Sequence, residues 1–338
     1  MKTLVAIGIL LSGFTLATVS SYEVEVPQGW PDPVHDFSEE PLDASMVELG
    51  RALFYDPILS RDNTVSCASC HSPFNAFAHT DHKLSHGIGD SIGTRNAPAL
   101  FNLAWQESFM WDGAAHSLDA QALGPIEHVG EMDSDLASIV DRLKEEPRYV
   151  VGFGESKKEL TGANVLKALS QFQLTLVSSD SKYDRVKTGL DSFSIQESKG
   201  YELFLTNCNS CHAEPLFTNG QFASNGLPID EALQDVGRYG VTLRKEDSLQ
   251  FKVPSLRNLK YSFPYMHDGR FNSIGEVIKH YTDGVVKEST TAVELRHGVA
   301  LDGRQRTELL AFLLTLNDEQ FSFDKKHQYP RAFFRSVE

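Results

Sequence analysis

Apolar and polar positions along this chain recur mainly at helical spacing. The segments ASMVELGRALFYD (44–56) and SIQESKGYELFLTN (194–207) each carry an apolar stripe that ends in Leu-Phe. Further helices are predicted over Ser134–Glu146, Ala163–Ser178, Ser273–Tyr281 and Arg304–Leu316. Ser194 with Glu197, and Ser273 with Glu276, have the spacing of capping boxes. In EVIKHYTDG (276–284), Val277, Ile278 and Tyr281 share one face with Ile274, and a Gly follows as a stop. Strand signals are few and short, so the fold class is mainly α. The likeness of 44–56 to 194–207 is a weak internal repeat, the mark of two copies of one helical unit.

Between the copies, SSDSKYDRVKTGLDSFS (178–194) is polar and reads as a connection. Residues 22–42 are Pro-rich and read as an arm on the surface; the tail over 320–338 is similar. The N-terminus has Met1-Lys2 followed by an uncharged apolar run over residues 3–21 that ends in small residues. That is the pattern of an export signal cleaved near residues 17–22. An uncleaved anchor helix is the alternative, but the run is short for a membrane span. The expected organisation is therefore a signal over 1–22, an arm over 23–42, a first domain over 43–185, a second over 186–320 and a tail over 321–338.

The 338 residues suffice for two domains, and 41% hydrophobic with 23% charged residues suits a globular chain. A net charge of −15 argues against nucleic acid as a partner and would steer small basic proteins to the surface. Cysteine changes the picture most. The chain has four, in CASCH (67–71) and CNSCH (208–212). Disulfides, a redox dithiol or half a zinc site would account for the pairs alone. The histidine after each pair points instead to c-type haem attachment. Cys67, Cys70, Cys208 and Cys211 would form the thioethers, with His71 and His212 as proximal ligands to iron. Two haems, one per domain, are expected.

Several stretches resemble the bacterial di-haem cytochrome c peroxidase family, which also contains the MauG branch. They are GTRNAPALFN (93–102), FMWDGAAHSLDAQALGPIEHVGEM (109–132), KVPSLRN (252–258) and PYMHDGRF (264–271), and the resemblance spans roughly residues 43–318. It implies a periplasmic protein of two cytochrome c-like helical domains, each with one covalent c-type haem: a peroxidatic haem first and an electron-transferring haem second. It implies that Gln121 and Glu131 sit over the peroxidatic haem, that Pro125 lines that pocket, and that Trp111 relays electrons between the haems. A carboxylate over iron can take a proton from the inner oxygen of peroxide and return it to the outer one. The resemblance also implies a calcium site from Asn96, Ser262 and Pro264, and often a homodimer.

Two features depart from the peroxidase pattern. His79, His82 and His86 do not align with the histidine that blocks the first haem in many family members, so this stretch is read as a solvated loop that leaves that haem open at rest. At the position of the methionine ligand of the second haem stands Tyr281, as in MauG-type members; Met266 lies inside the PYMHDG motif instead. A phenolate is hard and anionic and lowers a haem potential where a thioether raises it. The expected function is reduction of hydrogen peroxide to water with electrons from a small cytochrome c or cupredoxin. The alternatives are a MauG-like oxidase, whose high-valent state oxidises residues of a partner protein, and a non-catalytic di-haem electron carrier.

Overall fold

The computed structural model describes residues 21–335, so the expected export signal lies outside the described residues except for Ser21 and Tyr22. These two form β1 (Ser21–Tyr22), which pairs antiparallel with β2 (Leu42–Asp43) and ties down the start of the arm. The chain then runs through α1 (Ala44–Tyr55), the single-turn α2 (Cys67–Cys70), α3 (Leu118–Glu127), α4 (Leu136–Glu145), α5 (Pro147–Glu155) and α6 (Gly162–Leu174). α7 (Lys182–Lys187) leads to α8 (Ile195–Asn207), α9 (Tyr239–Thr242), α10 (Ile274–Lys279), α11 (Gly303–Leu314), α12 (Glu319–Phe323) and α13 (Arg331–Arg335). The remaining named strands, β3 (Phe222–Ala223) and β4 (Phe251–Lys252), form a second two-residue pair. The mainly helical expectation holds. Among the described residues no helix is long and apolar enough to cross a membrane.

Two separate hydrophobic cores are built with the same parts. In the first, α1 crosses α6 so closely that a Cβ on Gly50 would lie 1.8 Å from the Ala168 carbonyl oxygen. In the second, α8 crosses α11 and a Cβ on Gly200 would lie 1.9 Å from the Glu308 carbonyl oxygen. Only glycine permits either approach. Four residues after each glycine, Phe54 meets Phe172 (centroids 5.3 Å apart) and Phe204 meets Phe312 (5.1 Å). Thr175 and Thr315 each turn a hydroxyl back onto those phenylalanine carbonyls, at 2.7 and 2.6 Å. Asn102 and Asn258, both buried with φ near 60°, donate their amide N–H to Leu176 and Leu316 and accept the N–H of Ser178 and Asp318 on their side chains.

The repeat is therefore deeper than the opening helices suggest. Its sequence traces are F-x-L-T-L at 172–176 and 312–316, P-x-L-x-N at 98–102 and 254–258, and M-x-D-G at 110–113 and 266–269. The last pair adopts the same turn, with Met110 at φ 69° and Met266 at φ 74°, closed by the bridges Phe109–Ala115 and Tyr265–Phe271.

The polar connection is not a loose linker. Ser181 and Asp184 close a capping box on α7, and Tyr183 is buried in the second core. Arg257, fully buried, grips Asp184 through both guanidinium NH groups at 2.8 and 2.7 Å. Polar residues here satisfy one another inside the protein, so composition mimics a solvated stretch. The C-terminal segment likewise returns to the first core. Phe321 packs there, and the Tyr55 hydroxyl donates to the His327 carbonyl at 2.6 Å. The helix expected through Tyr281 ends as α-helix at Lys279 and continues as one π turn over His280–Gly284. There buried His280 meets the Asn225 carbonyl through Nε2 at 3.0 Å. The wider turn carries Tyr281 on the next residue.

The close crossings generate a prediction. Gly200→Ala forces a methyl into a backbone carbonyl that no rotamer can move. We expect a loss of about 3 kcal/mol, the upper end for overpacking, read as a lowered denaturant midpoint. Gly303→Ala, with open space around its Cβ, should leave the midpoint unchanged.

Candidate active site

One cavity of about 1040 Å³ runs between the two cores and is lined by residues of both C-x-x-C-H segments: Cys70 and His71 from the first, Cys208, Cys211 and His212 from the second. It lies at the upper end of small-ligand pockets, ~300–1,000 Å³. All four cysteines are unpaired thiols. Burial pushes Cys67 and Cys208 up to about 12, the opposite of an activated redox thiolate.

The two histidines are held alike, each through Nδ1 on backbone carbonyls. The His71 Nδ1–H donates to the Phe77 carbonyl at 2.8 Å; that of His212 is shared between the carbonyls of Phe217 (3.2 Å) and Pro254 (3.0 Å). Phe77 and Phe217 both sit at positive φ, 59° and 56°, which turns each carbonyl toward its ring. A carbonyl only accepts, so Nδ1 carries the proton and Nε2 keeps its lone pair. Burial pushes both imidazoles down to about 4, so they are neutral at ordinary pH. A neutral ring with a fixed tautomer and a free Nε2 is the form that ligates iron.

The two halves of the cavity differ in what faces those histidines. On the first side Gln121, on α3, and Glu131, in the loop after it, line the cavity with Pro125. The Gln121 Oε1 is buried without a partner, an acceptor aimed at something the cavity would hold. Glu131 is near enough to Cys70 to act on its thiol, and desolvation raises its own carboxyl, with His128 lowering it.

On the second side, the residues ten and fourteen after the second residue of the M-x-D-G turn are Val277 and Tyr281, where the first repeat has Gln121 and Pro125. Tyr281 lines the cavity close enough to Cys208 and Cys211 for their charges to act on it. Burial pushes its phenol up to about 12, against a hydrogen bond from Asn225. The same Asn225 donates to Met266 Sδ at 3.4 Å, and Met266 also lines the cavity. Sequence reading set Met266 aside; the M-x-D-G repeat was the signal that places it and Met110 in one kind of turn.

Trp111 lies between the halves, its Nε1–H donating to the Asn96 carbonyl at 2.8 Å. A symmetric brace surrounds it: the Asn96 amide N–H donates to the His267 carbonyl and the Lys252 amide N–H to the Trp111 carbonyl, each at 2.7 Å. Asn96, Ser262 and Pro264 all line the cavity. The Asn96 side-chain amide donates to the Lys83 carbonyl, and among the described residues no cluster of three or more His, Cys, Asp or Glu is placed to hold a metal ion.

Lys252 was missed by sequence reading. Its ammonium is half-buried against neutral acceptors, Gln106 Oε1 at 2.5 Å and the Ser108 carbonyl at 2.7 Å, and desolvation pushes it down to about 8. A half-buried cation with only neutral partners on the wall of this cavity suits the carboxylates of a tetrapyrrole. With the paired thiols and the free Nε2 atoms, the residues fit haem on both sides. His79, His82 and His86 stack at 5.9 and 4.6 Å, His86 bonds Asp90 at 2.6 Å, and none of the three lines the cavity.

Comparison with known proteins adds three findings. A family model described as di-haem cytochrome c peroxidase matches residues 44–192. The chain is 36% identical over 303 residues to the methylamine utilization protein MauG of Methylorubrum extorquens, covering 86% of this chain and 83% of that one. It is 34% identical over 301 residues to the cytochrome c peroxidase Ccp of Escherichia coli, covering 86% and 62%. Among solved structures, a MauG-like protein associated with microbial copper homeostasis has a TM-score of 0.83 at 27% identity, covering 92% of this chain and 99% of that one.

Proposed function

The chain belongs to the di-haem cytochrome c peroxidase family, which includes MauG proteins, and on that premise we propose that it is a periplasmic peroxidase that reduces hydrogen peroxide to water. The family implies haem cofactors. In this reading each haem is attached through thioethers, Cys67 and Cys70 with His71 on iron, Cys208 and Cys211 with His212, in domains over 43–185 and 186–320. The balanced reaction is H2O2 + 2 H⁺ + 2 e⁻ → 2 H2O, with electrons from a small cytochrome c or cupredoxin drawn to the acidic surface.

The observation that carries the reading is asymmetry on a repeated scaffold. The first half of the cavity presents an amide and a carboxyl, Gln121 and Glu131; the second has Val277 where the first has Gln121, and the phenol of Tyr281 where the first has Pro125. The haem supplies the metal that accepts peroxide and holds oxidising equivalents. The chain supplies the rest. Glu131 takes the proton from the inner oxygen and delivers it to the outer one, and Gln121 holds the peroxide through its unpaired carbonyl. Trp111 relays electrons from the second side. The placement of His79, His82 and His86 off the cavity wall supports a first site open at rest. An inter-domain calcium ion held by the Asn96 side chain with carbonyls of Ser262 and Pro264 belongs to the same reading, as oxygen ligands suit that ion.

Tyr281 favours a second reading, a MauG-like oxidase acting on residues of a partner protein. A hard phenolate over the second iron stabilises its oxidised form, where Met266 would not. Stoichiometric peroxide added to the oxidised protein separates the two: a long-lived oxidised spectrum supports the oxidase, whereas rapid decay with turnover of a reduced small cytochrome supports the peroxidase.

Two predictions follow from these placements. Glu131→Gln should slow peroxide cleavage by about 10²–10⁴-fold with both haem spectra intact; stopped-flow rates near wild type would remove Glu131 from the chemistry. Because its carboxyl is raised above the ordinary 4.5, the base form is lost as pH falls through that raised value, so the wild-type rate should decline there and the variant should lack that limb. Tyr281→Phe should alter the electron paramagnetic resonance signal and potential of the second haem alone. A spectrum unchanged in both haems would make Tyr281 a packing residue.

A further inference from the structure

The proposed reaction consumes two protons per peroxide, and Glu131 by itself only shuttles one between the two oxygens. A route for protons from solvent is therefore needed. Gln121 cannot serve, because an amide does not release and recover a proton at ordinary pH. On its other flank the Glu131 backbone is sealed: its carbonyl accepts the Ile88 N–H at 2.8 Å, and Gly87 packs so tightly that a Cβ there would lie 2.6 Å from the Glu131 Cα.

The titratable side chain that acts on the Glu131 carboxyl is His128. It caps the C-terminus of α3, and its carbonyl accepts the N–H of both Glu131 (2.9 Å) and Asp133 (3.1 Å), which folds the loop so that the two side chains meet. The His128 Nδ1 lies 3.6 Å from Glu131 Oε1 and both residues line the cavity, with 57% of the histidine side chain and 44% of the Glu131 side chain exposed. The surrounding charges do not compete. Asp133 is paired with Arg61, Asp90 with His86, and Glu127 is exposed at the end of α3. At rest the Gly130 N–H donates to His128 Nδ1 at 3.2 Å. Protonation at Nδ1 would break that bond and turn a new donor toward Glu131.

We propose that His128 recharges Glu131 with solvent protons during turnover, through a switch of its Nδ1 from the Gly130 amide to the Glu131 carboxylate. His128 does not touch peroxide; it acts through Glu131. Each cycle moves one proton from water to the imidazole and from the imidazolium to the carboxylate, twice per peroxide, matching the two electrons taken from the donor protein. Histidine suits the task because its charge changes in the neutral range. The inference rests on the peroxidase reading.

The test uses His128→Gln in the full di-haem protein. Steady-state turnover with a reduced small cytochrome should fall about tenfold, a fraction of the ~10²–10⁴ that a positioned proton donor contributes. The lost rate should return as a morpholine sulfonate buffer is raised; this acid carries protons without ligating iron, and the wild type should be insensitive to it. A second readout is independent of turnover: the infrared carboxyl band assigned by its loss in Glu131→Gln should titrate at higher pH in His128→Gln, because a neighbouring cation that lowers the Glu131 carboxyl is gone. Wild-type turnover in His128→Gln, or a loss that buffer does not restore, overturns the relay, as does an unmoved infrared midpoint. If Glu131→Gln itself turns over normally, the peroxidase reading fails instead, so the two failures are told apart.

Discussion

Two hydrogen bonds of 2.7 Å hold the two halves of this molecule in register. Asn96 and Lys252 stand at matching places, each two residues before the proline of P-x-L-x-N, and each donates its backbone N–H across the divide to the residue after the turn methionine. The brace fixes Trp111 and His267 at the seam, and His267 stacks on Phe251 at 3.7 Å. Since the same loops line the cavity, the spacing between its halves is set by backbone groups, which a side-chain substitution does not remove. The proposed electron relay through Trp111 requires such a fixed spacing.

On this near-symmetric frame the chemistry is made different by very few residues. Gln121 faces Val277 across the repeat, and Pro125 faces Tyr281. The helix geometry diverges with them. α3 stays α-helical through Pro125, whereas α10 opens into a π turn over His280–Gly284, the kind of local widening often found at functional sites. Asn225 bonded to both Met266 and Tyr281 adds a further choice, since two potential iron ligands of opposite softness share one partner.

The mainly helical fold and the family were legible in the sequence because each leaves a dense local trace: helical periodicity, and motifs in order. Glu131 and Gln121 were legible only through the resemblance, since a lone acid in a polar loop carries no signal of its own. Their roles remain the proposal tested above by Glu131→Gln. Other parts were hidden for physical reasons. Lys252 gives no warning because a lysine drawn half into the interior reads as a surface one. The packing of the polar stretch 178–194 was not legible because Arg257, which pairs with its Asp184 in the interior, lies 73 residues away. Phe77 and Phe217 were invisible because what matters in them is a carbonyl turned by positive φ, a backbone property that residue type does not encode.

The electrostatics of the cavity follow one rule, burial opposing charge. It keeps His71 and His212 neutral, holds the Tyr281 phenol protonated in the structure, raises Glu131 and lowers Lys252. A bound ferric centre would invert the rule where it reaches, since a nearby cation favours a phenolate and a carboxylate anion can pair with a lysine that lacks one. The four thiols, two imidazoles, phenol and ammonium are thus each in the state that a charged metallotetrapyrrole would shift or complete. That mutual need explains why polar groups so costly to bury are gathered around one cavity between two otherwise conventional cores.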